Sequence, residues 1–504
     1  MAAESELQED GGAVSTGSEA LDYILRGGYA YNRVHLLEGE PGAGKTTLGL
    51  QFLLDGAAKG ERCLYITLSE SRDELLHVAS THGWSLDGIE IFELVPPELS
   101  LDVEREQSIV YASDLELGET VQMVMEVVER LKPTRVVFDS LSEIRLLAQG
   151  PLRFRRQVLA LKHYFARQEC TVLFLDDLTQ TIENDLSLHS LAHGVIRLDQ
   201  VAMAYGAERR RLRVYKMRAR GFRGGFHDFV IRKGGLEIFP RLVASSYPEG
   251  AHEARVAVSG VDALDRLTGG GLDYGTSTLI IGPSGSGKST LALQYIYAGL
   301  LRGENGYFIS FDETEAVFMR RAGGLGIDLR RFREEGKFTF RQVDPAELSP
   351  GELTSILRQQ VEEGADMVVL DSLSGYQHAM PEDQYMLLQM HEIVTYLNQQ
   401  GILTFLILTQ TGMVGNMQSP VDLTYLADSV MLMRFFEAQG EIHRAVSMLK
   451  KRTGQHESAI REMKIDHGGI RVGPKLSAVR GVLTGVPTLE GKAELLEDRV
   501  AQRD

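Results

Sequence analysis

Cysteine is almost missing from this chain: Cys63 and Cys170 are the only two in 504 residues. That excludes a disulfide framework. Neither cysteine has a metal-ligand neighbour at zinc-finger spacing, and the usage fits a reducing, cytoplasmic setting. Basic charge is also scarce. Lys and Arg number 53 against 70 Asp and Glu, a net −17 at pH 7. The overall field therefore does not favour DNA, RNA or an anionic membrane, and only a local basic strip could. No apolar run approaches the roughly 20 residues needed to span a bilayer. The start, MAAESELQEDGG, is acidic and polar, unlike a signal or transit peptide. Apolar residues make up 43% and charged residues 24%, as in an ordinary globular protein with room for two full cores.

One passage occurs twice. LLEGEPGAGKTTLGLQF runs from Leu36 to Phe52, and LIIGPSGSGKSTLALQY from Leu279 to Tyr295. The offset that carries Lys45 onto Lys288 also carries TGSEALD (Thr16–Asp22) onto SGVDALD (Ser259–Asp265), and Gly27-Gly28 onto Gly270-Gly271. Same order and similar size argue for a duplicated domain. The joint falls in SSYPEGAHE, Ser245 to Glu253, a polar stretch with Pro and Gly. The expected division is a tail over 1–13, a first domain over 14–246, a second over 247–485 and a short tail over 486–504. RCLYITL, RVVFDSL and CTVLFLDD read as strands in the first half, and GYFISF, DMVVLDSL and LTFLILTQ in the second. Continuous apolar strands among longer helical patterns predict an α/β fold with parallel sheets covered on both faces.

Both copies of the passage fit G-x-x-x-x-G-K-[ST]: Gly39 to Thr46 and Gly282 to Ser289. The glycines let the backbone turn its N–H groups onto a phosphate, and the following helix adds its positive end. The lysine neutralises the outer phosphates, and the Thr46 or Ser289 hydroxyl can ligate Mg²⁺. A chance glycine-rich turn explains one such match more readily than two, each placed between an apolar strand and a helix. A carboxylate at a strand end should complete the metal shell. RVVFDS supplies Asp139 and MVVLDS supplies Asp371. Asp139 lies further from its lysine than Asp371 does. The first half therefore carries extra residues, placed within ELVPPELSLDVEREQSIVYASDLE.

Hydrolysis also needs a group that orients or deprotonates water. ITLSES and ISFDET set Ser69-Glu70 against Asp312-Glu313, two carboxylates in the second half and one in the first. That asymmetry predicts unequal sites, although a solvated acidic strand end would look the same. Late in each half a Lys-x-Arg pair ends a strand: Lys216 and Arg218, then Lys450 and Arg452, with Arg444 upstream. Two long cations on one face are either a solvated edge or a finger that reaches a neighbouring subunit's nucleotide.

With these motifs in place the chain resembles the KaiC family, within the RecA/DnaB-like P-loop ATPases, over about residues 14 to 490. The ALD…GG lead-in, both phosphate loops, both strand-end aspartates, the acidic pair, the Lys-x-Arg element and GQHESAIREMKI carry the likeness. The resemblance implies two tandem RecA-like domains, each a mainly parallel sheet flanked by helices. It also implies a double-ring homohexamer with ATP between subunits. Gly42, Ala43, Gly44, Lys45, Thr46 and Thr47 would bind ATP in the first ring, and Gly285, Ser286, Gly287, Lys288, Ser289 and Thr290 in the second. Thr81 sits where the family uses a small hydroxyl residue near the first nucleotide. Lys216, Arg218, Arg444, Lys450 and Arg452 would contact nucleotide across the subunit boundary. Mg²⁺ would fall to Thr46 with Asp139 and to Ser289 with Asp371. Asp312 matches the family's carboxylate base, beside Glu313; its first-half counterpart is Ser69, which leaves Glu70 for the role.

Thr424-Tyr425 stands where clock members carry a phosphorylated Ser-Thr pair, which marks Thr424 as the candidate autophosphorylation site. The short tail LEGKAELLEDRVAQRD argues against a KaiA-like activator. A KaiB-like or two-component signalling protein fits better as a partner. The alternative is a RecA/DnaB-type DNA motor or recombinase, with Arg209–Arg223 as its contact. No helix-hairpin-helix or zinc-ribbon module accompanies it, so nucleic acid is not the expected partner.

Overall fold

The structure is a computed structural model. It describes residues 12–94, 109–178, 187–203, 206–250, 254–378, 383–410, 423–438, 440–482, 488–489 and 495–496. The chain divides into two compact units, one of residues 1–204 and 208–241 and one of residues 242–504 together with 205–207.

Each unit is built on one nine-stranded sheet. In the first, the strand order is Ile89–Glu93, Cys63–Thr67, Arg135–Asp139, Thr171–Asp177, Val34–Gly39, Gly194–Val201, Arg209–Met217, Phe226–Arg232 and Gly235–Phe239. The first six are parallel and the last three extend the sheet antiparallel. The second unit repeats this order: Phe338–Gln342, Gly306–Ser310, Met367–Asp371, Leu403–Thr409, Ser277–Gly282, Ser429–Ala438, Glu441–Lys451, Ile460–Asp466 and Gly469–Lys475. These are two tandem RecA-like domains. All six runs read as strands from the sequence are strands here.

The parallel strands read as unbroken apolar runs because both faces are covered. In the first unit Val137 belongs to one core and its neighbours Val136 and Phe138 to the other. In the second, Leu370 and Val369 divide in the same way. Helices pack on each face. Arg72–His82 starts with a reciprocal Ser71–Glu74 capping box and stops at Gly83 in the left-handed region.

The extra length of the first half is partly helical. Ile109–Leu131 has 23 residues, whereas its counterpart Pro350–Glu362 has 13. The rest of that expected insertion, 95–108, lies outside the described residues. Among the described residues no helix is long and apolar enough to cross a membrane.

Candidate nucleotide sites

In both units the central strand ends at the phosphate loop, and the loop feeds a helix, Lys45–Ala58 or Lys288–Arg302. Gly44 and Gly287 cap these helices at φ 103° and 101°. A side chain at Gly44 would be strained there and would meet Ile231 Cδ1 at 2.9 Å; at Gly287 it would collide with Ile465. Gly42 and Gly285 also have positive φ, whereas Ala43 and Ser286 are fully buried beneath the turn. The result is a backbone cradle closed by Ala43 N–H on Glu40 O and Ser286 N–H on Pro283 O, of the kind that turns its remaining N–H groups onto a phosphate.

Lys45 donates to the carbonyls of Gly39 (2.9 Å) and Glu40 (2.8 Å) and pairs with Asp177 Oδ1 at 2.7 Å. Lys288 donates to Pro283 O at 2.8 Å. Burial pulls the Lys288 ammonium down to about 8, against the opposing pull of Asp371. Thr409 occupies the second unit's equivalent of Asp177, so an ion pair like that of Lys45 is not available to Lys288 from that strand.

The strand-end aspartates arrive where the sequence put them. Thr46 Oγ1 lies 3.3 Å from Asp139 Oδ2, and Tyr65 donates to the same oxygen at 2.5 Å. Burial raises the Asp139 carboxyl, and burial lifts Asp371 to about 6, with the Ser289 hydroxyl pulling the other way. Both aspartates precede a non-proline cis peptide bond. A hydroxyl and one carboxylate at each loop fit Mg²⁺, which takes a few protein oxygens and completes its shell with phosphate and water. Among the described residues no group of three or more metal-ligating side chains offers an all-protein cage.

The acidic pairs are held by one duplicated turn. Thr67 Oγ1 accepts from Glu70 N at 2.9 Å, and Ser310 Oγ accepts from Glu313 N at 2.9 Å. The side chains then part company. Glu70 keeps one carboxylate oxygen buried without a partner. Burial first, then Asp139, Glu74 and Asp177, push its carboxyl up to about 7. Glu313 is gripped by Arg321 through Nε at 3.1 Å and a second nitrogen at 2.8 Å, and Arg321 also reaches Thr290 Oγ1 at 3.3 Å. Val78 stands at the first unit's equivalent position. Asp312 is exposed and accepts from Ser372 Oγ at 2.9 Å. The sequence's count of two carboxylates against one thus becomes one unclamped carboxylate in each unit.

The Lys-x-Arg pairs lie at the other end of the sheet from their own phosphate loops. Lys216 donates to Ala192 O (2.9 Å) and to His189 O, and Arg218 to Ser190 O (2.8 Å). Lys450 donates to Thr424 O (2.9 Å) and Ala427 O (2.6 Å), and Arg452 to Tyr425 O (2.9 Å). Each pair clasps the segment that leads into the strand beside the phosphate-loop strand, the short helix Ser187–Leu191 in the first unit and a turn in the second. Arg444 is separate: it leans on the carbonyl of Gly285 at 3.3 Å, beside its own loop. Thr81 is exposed in the last turn of its helix, roughly 13 Å along it from Arg72, and donates to Val78 O. Thr47 and Thr290 are buried in the first turn of the loop helices.

Sequence reasoning missed Tyr65, Asp177, Ser372 and Arg321. Tyr65, Asp177 and Ser372 each touch a residue distant in sequence, whereas Arg321 reaches Glu313 from eight residues further along, in the helix that follows it. Phe308 replaces Tyr65 in the second unit, so even the internal repeat gave no signal for it.

The family profile described as "ATPase: KaiC" matches residues 14–243 and again 257–477. "Circadian clock protein KaiC3" of Synechocystis sp. is 24% identical over 494 residues, covering 96% of this chain and 96% of its own length. "Circadian clock oscillator protein KaiC" of Parathermosynechococcus lividus is 26% identical, covering 94% and 87%. The protein of that name from Nostoc sp. is 26% identical, covering 97% and 95%.

Proposed function

The chain belongs to the KaiC family of ATPases. From that premise we propose that it binds Mg-ATP in both units, hydrolyses it slowly, and assembles as a double-ring homohexamer with nucleotide between neighbouring subunits. The observation that carries this reading is the duplicated pair of glycine cradle and facing aspartate, with Thr46 3.3 Å from Asp139. Lys45 and Lys288 would take the outer phosphates. Thr46 with Asp139, and Ser289 with Asp371, would hold Mg²⁺, whose part is to neutralise phosphate charge. Glu70 in the first site and Asp312 in the second would orient and deprotonate water. Glu313 would act only when Arg321 lets go. Lys216 and Arg218, and Lys450 and Arg452, would complete a neighbour's site, as cations do for phosphoryl transfer elsewhere; Thr81 would stand near the first nucleotide and Arg444 near the second.

ADP release from the parent, Lys45→Ala, Lys288→Ala and the double variant tests the reading. Each single variant should keep part of the activity and the double variant none. A double variant as active as the parent, or an inactive parent, overturns it.

A second, finer proposal is autophosphorylation at Thr424, which would make the second unit a signalling or timing switch. Thr424 lies in a turn whose carbonyls are held by Lys450 and Arg452. Phosphate there would add nearly two negative charges beside those cations. Asp312 of the partner subunit is the candidate base. Peptide mapping after Mg-ATP incubation should find phosphate on Thr424 that Thr424→Ala removes; phosphate on Tyr425, or none, rejects it. A KaiB-like or two-component signalling protein is the proposed reader, in the cytoplasm.

A further inference from the structure

The first unit contains a cavity of about 150 Å³ at the foot of its phosphate-loop strand, the end away from the loop. Arg33 and Asn32 enter it from the start of that strand, Lys162 from the helix Pro151–Arg167, His193 from the turn before Gly194–Val201, and Arg218 from the end of Arg209–Met217. None of the residues that line it is acidic.

The cations act on one another. The Lys162 ammonium is lowered by burial and then by Arg218 and Arg33. Neighbouring Lys216 is lowered by burial, Arg218 and Lys162. His193 is lowered by burial, which outweighs its bond with the Arg218 backbone, and further by Arg33, Arg218 and Lys216. Like charges gathered in one cavity without a counter-charge favour any anion that enters.

The second unit shows the same place neutralised. His35 pairs with Gly194 as Thr278 pairs with Ser429, so Asp428 stands where His193 does. Asp428 takes Arg452 at 3.1 Å and accepts from Ser277 N and Asn398 Nδ2, each at 3.0 Å. Thr276 replaces Arg33. Counting back from the strands Thr171–Asp177 and Leu403–Thr409, Val394 replaces Lys162. Relative to its copy, the first unit has lost a carboxylate and gained two cations around an otherwise similar arginine.

We propose that this cavity is a binding site for a compact phosphate-class anion, held by Arg33, Lys162 and Arg218, with Asn32 as a further hydrogen-bonding group. Its volume equals that of about five liquid waters, enough for one phosphate group. The Arg33 and Arg218 guanidiniums supply planar donor pairs suited to phosphate oxygens. Free phosphate and a phosphate of a neighbouring chain's nucleotide share this chemistry.

The test uses the full chain with both phosphate loops saturated with ADP, titrated calorimetrically with inorganic phosphate. Lys162→Val and His193→Asp are the variants, each installing the residue the second unit carries at that place. Phosphate held only by the residues of the phosphate loops is common to all three proteins and cancels. The parent should show a phosphate isotherm that each variant weakens at least about tenfold, the size of losing one charge-assisted contact. If free phosphate does not bind but Lys162→Val weakens ATP-driven association on a sizing column by a similar factor, these cations serve only a neighbour's nucleotide, the role already proposed for Arg218, and a separate anion site is overturned. Equal behaviour of parent and variants in both arms overturns it. ADP release, followed separately, reports on the ATPase reading independently of either outcome.

Discussion

Glu70 and Glu313 occupy the same step of one duplicated turn, yet only Glu313 meets an arginine. Glu70, its carboxyl raised to about 7 chiefly by burial, is poised as a base near neutrality. In a Lys288→Ala background, first-site turnover should rise with pH through about 7 as Glu70 loses its proton. Glu70→Gln should remove that limb and about 10²–10⁴ of the rate. A pH–rate profile checks both, and a flat profile from about pH 6 to 8 would reassign the base. For the second site, Arg321→Gln in a Lys45→Ala background should raise ADP release about tenfold, well inside a positioned base's contribution. Adding Glu313→Gln should cancel the gain; an unchanged rate would place Glu313 out of reach of the attacking water. Lys288 gives a third residue-scale expectation. Without nucleotide its ammonium, lowered to about 8, is mostly deprotonated between there and the usual lysine value of about 10.4. Bound phosphates favour the charged form, so ATP binding at this site takes up protons and weakens as pH rises through that window. Calorimetry in buffers of different ionisation enthalpy reads the uptake directly, and its absence would mean that Lys288 is already charged.

At the scale of elements, the strands Arg135–Asp139 and Met367–Asp371 do the same work from different first residues. Arg135 is almost fully buried, pairing with Glu61 at 2.6 Å and Asp55 at 2.9 Å and donating to Phe52 O at 2.8 Å. Met367 fills that place in the second unit, and Gly56 and Gly299 leave room for the two side chains. Arg135→Ala takes the arginine from Glu61 and Asp55, of which Asp55 keeps Lys59 at 2.7 Å, and opens a void; it should cost about 2–5 kcal/mol in denaturant unfolding. Arg135→Met, the second unit's solution, should recover much of that, because replacing a buried charge by a packed apolar side chain is often close to neutral. Equal losses would mean that the ion pairs, not the packing, carry the strand. The same pair shows what could be read from sequence. VVFD and VVLD announce buried parallel strands ending in a carboxylate, since that pattern is local and continuous. The partners of Arg135 are not local: Asp55 comes from the last turn of the phosphate-loop helix and Glu61 from the connection after it. Tyr65 meeting Asp139 likewise depends on how strands pack side by side, whereas Arg321 meets Glu313 from the helix that directly follows it. The Lys-x-Arg pairs were legible as two cations on one face, but the turn each one clasps was not.

At the scale of the whole molecule, charge sets the problem. Every copy carries −17 at pH 7, so copies repel, and bound nucleotide adds negative charge. A ring can form only where cations are concentrated locally, and Lys216, Arg218, Lys450 and Arg452 are gathered at one end of each sheet. If nucleotide lies between these cations and a neighbour's phosphate loop, it binds the assembled state alone and must stabilise it by mass action. At a hundred times its dissociation constant that amounts to about 2.7 kcal/mol per site. The chain should therefore elute as a small species without nucleotide and as a hexamer with ATP or a slowly hydrolysed analogue. Lys45→Ala and Lys288→Ala should each weaken assembly, and together abolish it. Raising salt should act in two opposing ways: screening the repulsion between acidic copies and weakening the cation–phosphate contacts. Assembly should then peak at intermediate ionic strength when nucleotide is present. A monomer under every condition would overturn the ring, and a hexamer indifferent to nucleotide would mean that protein surfaces alone overcome the repulsion.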